Sequence, residues 1–181
     1  MKTLTLLRHA KSSWHDDVPR DFDRPLNKRG RKAARTIGRE MKAQGLAFDA
    51  IVASPAVRVI ETLDDVSDGY GQKIAPDYDQ RVYLASTGTL LDVIHEVDDS
   101  AERLLIVGHN PGLEQLALLL TGAGDDRLRA EILIKYPTAT LAEISLPVEH
   151  WWDVAEGIGR VARFIRPRDL DPDLGPDEDT H

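Results

Sequence analysis

A chain of 181 residues with 41% hydrophobic and 30% charged side chains has the composition of one ordinary globular domain. It has no cysteine, which excludes disulfides, thiol catalysis and Cys-ligated metal sites. The formal charge of -8 is uneven: the first 60 residues carry 13 basic and 6 acidic side chains, whereas 169–181 holds six acids and no Lys or Arg. No apolar run approaches the roughly 20 residues of a membrane helix, and the opening MKTLTLLRHAK is too short in apolar residues for a secretory signal. An acidic chain with 6% aromatics offers few stacking platforms for nucleic acid. The expectation is a cytoplasmic protein without membrane or nucleic-acid partners.

In chain order, Thr3–Leu7 predicts a short buried strand and Asp16–Pro25 a polar loop. Asn27 caps a helix ending near Gly45, with Ala33, Ala34, Ile37 and Met41 at helical spacing. A strand at Ala50–Ala53 leads through Ser54-Pro55 into a helix reaching about Ser67. Leu90–Val97 has helical spacing, Arg103–Val107 is a buried strand, and Pro111–Leu120 a helix with Pro in its first turn. Thr140–Ser145 and Arg160–Ile165 read as late strands, close enough in sequence to pair antiparallel at an edge. The alternation predicts a three-layer α/β/α sandwich with a mostly parallel central sheet over residues 1–168, followed by a flexible acidic tail, 169–181.

Ligands of open α/β sheets bind beyond the carboxyl ends of the strands. The residues just after each apolar run are therefore informative: Arg8-His9-Ala10, then Ser54-Pro55 with Arg58 a turn later, then Gly108-His109-Asn110-Pro111. Two arginines suit a phosphate group, and a neutral histidine among cations can attack phosphorus. On this reading either His9 or His109 could be the nucleophile. Ser12 and Ser54 either donate to phosphate or cap turns, Arg24 lies near the mouth, and Asn110 is a further candidate phosphate contact. Trp14 is a candidate for the entrance, and Lys11 fits a solvated role. Histidines 15, 95, 150 and 181 have no metal-ligand spacing, and neither G-x-S-x-G nor a P-loop pattern is present.

The segments LLRHAKSSW, DFDRPLNKRGRKAA, ASPAVRVIET and VGHNPG, spanning Leu6 to Gly112, resemble the histidine phosphatase superfamily and, within it, the small SixA-type phosphohistidine phosphatases. The resemblance implies a phosphoglycerate mutase-like fold, His9 as the phosphorylated nucleophile, Arg8, Arg58 and His109 as its phosphate pocket, and no metal or other cofactor. Departures are Ala10 where larger members have Gly, His15 near a common Asn position, and Glu61 where Gln is frequent. The general acid of the sugar-phosphate branches has no clean counterpart; Asp77 and Asp79 are imperfect candidates. An alkoxide leaving group needs a proton from such an acid. Protonated phosphohistidine expels a neutral imidazole and needs little such help.

The expected activity is therefore metal-independent phosphatase chemistry through His9, directed at phosphohistidine on a phosphorylated protein. The alternatives are a broad phosphomonoesterase of small phosphorylated metabolites and, in another class, a phosphate-recognition module without turnover.

Overall fold

The computed structural model describes residues 1–14, 17–122 and 126–175. Among these, six strands form one sheet: β1 (Lys2–Arg8), β2 (Ala50–Ala53), β3 (Asp77–Tyr78), β4 (Arg103–Gly108), β5 (Leu141–Leu146) and β6 (Arg160–Ile165), in the order β3-β2-β4-β1-β5-β6. β1 to β4 are mutually parallel, with Leu6 opposite Ile106 and Val52 opposite Ile106 on its other side. β5 turns antiparallel beside β1, and β6 is antiparallel to β5, so the expected antiparallel edge exists but begins one strand further in.

Period-2 alternation gives each central strand two buried faces. Leu4 and Leu6 of β1, with Leu104 and Ile106 of β4, join one core; Leu7, Leu105 and Val107 join the other. The first core is closed by α3 (Thr87–His95), α4 (Gly112–Leu120) and α5 (Arg127–Ile134), through Leu90, Ile94, Leu116, Leu120 and Ile132. The second is closed by α1 (Lys28–Ala43) and α2 (Val57–Tyr70), through Ala34, Ile37, Met41, Val59, Leu63 and Val66. The result is the expected α/β/α sandwich.

Local chemistry sets the boundaries. The Asn27 side chain accepts from the Gly30 amide, so α1 starts where the cap predicts. α2 runs past Ser67 to Tyr70 and stops at Gly71, whose φ of 79° is left-handed. Ser86, accepting from the Thr89 amide, starts α3 earlier than the apolar spacing indicates. Pro111 is the cap of α4 rather than a residue of its first turn. α5, opened by Asp126, has no counterpart in the sequence reading.

The boundary read at 168 also differs. α6 (Pro167–Leu170) and a 3-10 turn at Pro172–Leu174 lie against the domain, with Leu174 buried and Asp171 paired to Lys32 at 3.3 Å. The remainder of the acidic terminus, 176–181, lies outside the described residues. No helix among the described residues is long and apolar enough to cross a membrane.

Candidate active site

The carboxyl ends of β2, β4 and β1 lie side by side, and their exits are stitched together: the Ser54 amide donates to the Val107 carbonyl at 3.0 Å and the His9 amide to the Gly108 carbonyl at 3.1 Å. This brings Arg8, His9, Ser54 and His109 to one rim, and α2 adds Arg58 from its first turn. All five are buried. Thr62 locks the arrangement: its hydroxyl donates to the Arg58 carbonyl at 2.6 Å and accepts from the Ala10 amide at 2.9 Å, tying the loop after β1 to the helix that carries Arg58.

The two imidazoles face one another, centroids 5.3 Å apart and planes 54° to each other. They are held differently. His9 donates from Nδ1 to the Ala10 carbonyl at 2.7 Å, which places its lone pair on Nε2. His109 uses both nitrogens: Nδ1 accepts from the Arg58 guanidinium at 3.3 Å, and Nε2 donates to Ser54 Oγ at 2.8 Å. Burial, then the charge of Arg8, holds His9 well below the usual histidine range. Burial and the neighbouring Arg58 bring His109 down to about 3. Both rings are thus neutral at neutral pH.

The cations are anchored with equal care. Arg8 donates to the Tyr136 carbonyl at 2.9 Å, and Asn110 Nδ2 reaches the same carbonyl at 3.0 Å. Arg58 donates to the Asp21 carbonyl at 2.8 Å and to its carboxylate at 2.9 Å. Arg24 donates to the other carboxylate oxygen at 3.0 Å, to Ser12 Oγ, and stacks on Trp14 with its guanidinium carbon 3.6 Å from the ring centroid. Tyr83 completes the group, donating to Asp21 at 2.6 Å and setting its ring edge-on to His109 at 5.3 Å. Three guanidiniums around two neutral imidazoles, one with a directed lone pair, can bind a tetrahedral oxyanion and attack its centre.

Comparison with known proteins agrees with that chemistry. Residues 4–81 match the model of the histidine phosphatase superfamily (branch 1). An uncharacterized Mycobacterium tuberculosis protein is 37% identical over 164 residues, covering 90% of this chain and 100% of its own. A structure from Nakamurella multipartitia assigned as a SixA phosphohistidine phosphatase superposes with a TM-score of 0.78 at 26% identity, over 92% of this chain and 96% of that one. A second so assigned, from Agrobacterium tumefaciens, gives 0.74 at 29% identity, over 92% and 98%. The chain belongs to the histidine phosphatase superfamily. Its fold is the phosphoglycerate mutase-like one, and family and fold together mark it as a phosphatase-type hydrolase.

The other candidate residues of this histidine phosphatase superfamily member take varied places. Ser54 and Ser12 touch the site through His109 and Arg24 respectively. Asn110 is spent on the main chain, its Oδ1 accepting from the Glu114 amide as its Nδ2 holds Tyr136. Asp79 is committed to Arg81, whose hydrogen bond holds its carboxyl below the usual range, and Asp77 is exposed in β3. Neither is hydrogen-bonded to His9, Arg58 or His109 among the described residues. Lys11 lines a small cavity of about 30 Å³ with Arg29, Lys135, Arg166 and Arg168. Trp151 is buried and Trp152 exposed, His95 meets the Val154 carbonyl, and His150 pairs with Asp99; His15 and His181 lie outside the described residues.

The sequence reading missed Asp21, Thr62, Tyr83 and Glu114. Asp21 and Thr62 stand inside segments it quoted and Tyr83 between them, but the contacts that matter run between segments. Glu114 lines an open cleft of about 580 Å³ with Arg8 and Asn110, and burial raises its carboxyl. Glu61, at the Gln-favouring position, accepts from the Leu26 amide at 2.9 Å and from Arg31 at 3.2 Å, so it fastens the loop carrying Arg24.

Proposed function

We propose that the chain is a metal-independent phosphatase that works through a phosphohistidine on His9 and acts on phosphohistidine of a partner protein. The observation that carries this reading is the unequal treatment of the two histidines. His109 has both nitrogens engaged, whereas His9 keeps Nε2 as a free lone pair with its tautomer set by the Ala10 carbonyl. In the first step His9 Nε2 attacks phosphorus in line, the bond from phosphorus to the substrate nitrogen breaks, and the substrate imidazole, already protonated on its other nitrogen, takes the electron pair and leaves neutral. Arg8 and Arg58 hold equatorial oxygens, and His109 joins them by turning its Nε2–H from Ser54 Oγ to the phosphate. Water then attacks the phosphoenzyme, giving a proton to the medium and returning His9 and inorganic phosphate.

Two facts support the P–N substrate over an ester. Asp77 and Asp79 stand apart from the hydrogen-bond network of the site, and Asp79 is held as a carboxylate by Arg81. A leaving imidazole has the least need of an acid. The similar solved structures from Nakamurella multipartitia and Agrobacterium tumefaciens are themselves assigned as SixA phosphohistidine phosphatases.

The test is phosphate release from a phosphohistidine protein and from an aryl phosphate, both in EDTA, with His9→Ala beside the wild type. Release that persists in EDTA, favours the phosphoprotein and disappears in the variant supports the full reading. Preference for the aryl ester supports the broad phosphomonoesterase instead. Phosphate binding without release from either supports a recognition module.

A further inference from the structure

One carboxylate sits inside the cationic cluster that the proposed chemistry needs for phosphate. The Asp21 carboxylate receives four hydrogen bonds, one from Arg58 at 2.9 Å, two from Arg24 at 3.0 and 3.3 Å and one from Tyr83 at 2.6 Å, while Arg58 also donates to the Asp21 main-chain carbonyl at 2.8 Å. It lies on the solvent side of both guanidiniums, its side chain 42% exposed against 3% for Arg58 and 8% for Arg24. It is also two hydrogen bonds from the second imidazole, because one Arg58 nitrogen serves both Asp21 and His109.

A fixed carboxylate has two opposed effects on an anion site. It holds the guanidinium forks in one geometry, and it repels the anion those forks receive. We propose that Asp21 is the built-in counter-anion of the phosphate pocket, a positioning residue that fixes Arg58 and Arg24 while lowering the pocket's affinity for inorganic phosphate so that product departs. The inference rests on the phosphate-pocket reading above. It extends that reading by assigning phosphate release to a residue that makes no bond in the reaction. Tyr83 aims the carboxylate, and Phe22, edge-on to Tyr83 at 5.1 Å, backs the ring.

Removing the charge while keeping the shape separates the two effects. Asp21→Asn retains an accepting oxygen and the side-chain size; Asp21→Ser is a second neutral variant; Tyr83→Phe loosens the network with the charge intact. Inorganic phosphate and vanadate affinities are measured calorimetrically on each, with kcat and KM for an aryl phosphate and a melting curve as the fold control. The expected result is phosphate binding tightened at least about tenfold in both neutral variants, stronger product inhibition and lower kcat, with no tightening in Tyr83→Phe. A residue that only supports the fold would weaken phosphate binding when changed. Unchanged or weaker binding in a folded neutral variant overturns the inference, as does equal tightening in Tyr83→Phe. A wild type that binds neither anion overturns the phosphate pocket itself, and the inference with it.

Discussion

Ser54 Oγ accepts from Nε2 of His109 at 2.8 Å, while the same ring accepts from Arg58 at Nδ1. A serine at the exit of β2 thereby fixes the tautomer of a histidine at the exit of β4. Ser54→Ala leaves a buried N–H without its partner, which costs about 1–3 kcal/mol. The expected outcome in steady-state kinetics is a kcat lowered roughly 10- to 100-fold, with Ser54→Thr recovering part of it.

Arg58 provides two donors to Asp21 and one to His109 from a single planar fork. Lysine keeps the charge but not the fork. Arg58→Lys is expected to lower kcat/KM by about 10²- to 10³-fold, measured with an aryl phosphate. A loss under threefold would mean that charge alone suffices there.

The pH behaviour stems from the neutral histidines. With its pKa lowered to about 3, His109 should show ring nitrogen NMR signals that do not titrate between pH 8 and 5, and the His9 signals should titrate only below the usual histidine range. The sign for stability is also fixed. The unfolded chain takes up protons near pH 6.5 and folded His109 only near 3, so stability is full above about 6.5 and falls as pH drops toward 3. At pH 5 the loss from His109 is on the order of 2 kcal/mol, and His109→Gln should flatten that part of the denaturation profile.

The layered fold was legible in the sequence because the buried strands are short apolar runs that end in chemistry-bearing residues. Thr3–Leu7 and Arg103–Val107 fell within a residue of β1 and β4. α5 was not legible: its apolar residues form no clean helical stripe, Leu133 and Ile134 being exposed, and its start depends on the Asp126 cap. The packed segment 169–175 was masked by its acidic, Pro-rich composition, which outweighed the lone Leu174 that buries. In the site, motif order gave Arg8, His9, Arg58 and His109. The strand exits alone left His9 and His109 open and the resemblance pointed to His9; the Ala10 and Ser54 hydrogen bonds that distinguish the two rings were not legible, and Asp21 needed the fold to bring three segments together.

Gly30 links fold to site. A Cβ there would lie 2.1 Å from the Lys11 carbonyl, backbone two residues beyond His9. Neither α1 nor that loop can yield freely, since the Asn27 amide bonds the same carbonyl at 3.1 Å. Gly30→Ala is expected to destabilise the protein by about 1–3 kcal/mol in chemical denaturation and to lower kcat as Lys11 and Ser12 shift. Unaltered stability would contradict this packing.

The central claim is that phosphorus is transferred to His9 Nε2. Rapid quench in alkali after mixing enzyme with a phosphorylated substrate, with peptide mass spectrometry on the digest, reads it directly. The account predicts a burst of acid-labile, alkali-stable phosphate on the peptide bearing His9, located on that ring and missing from His9→Ala. Turnover without such a phosphopeptide, or phosphate located on His109 instead, would contradict it.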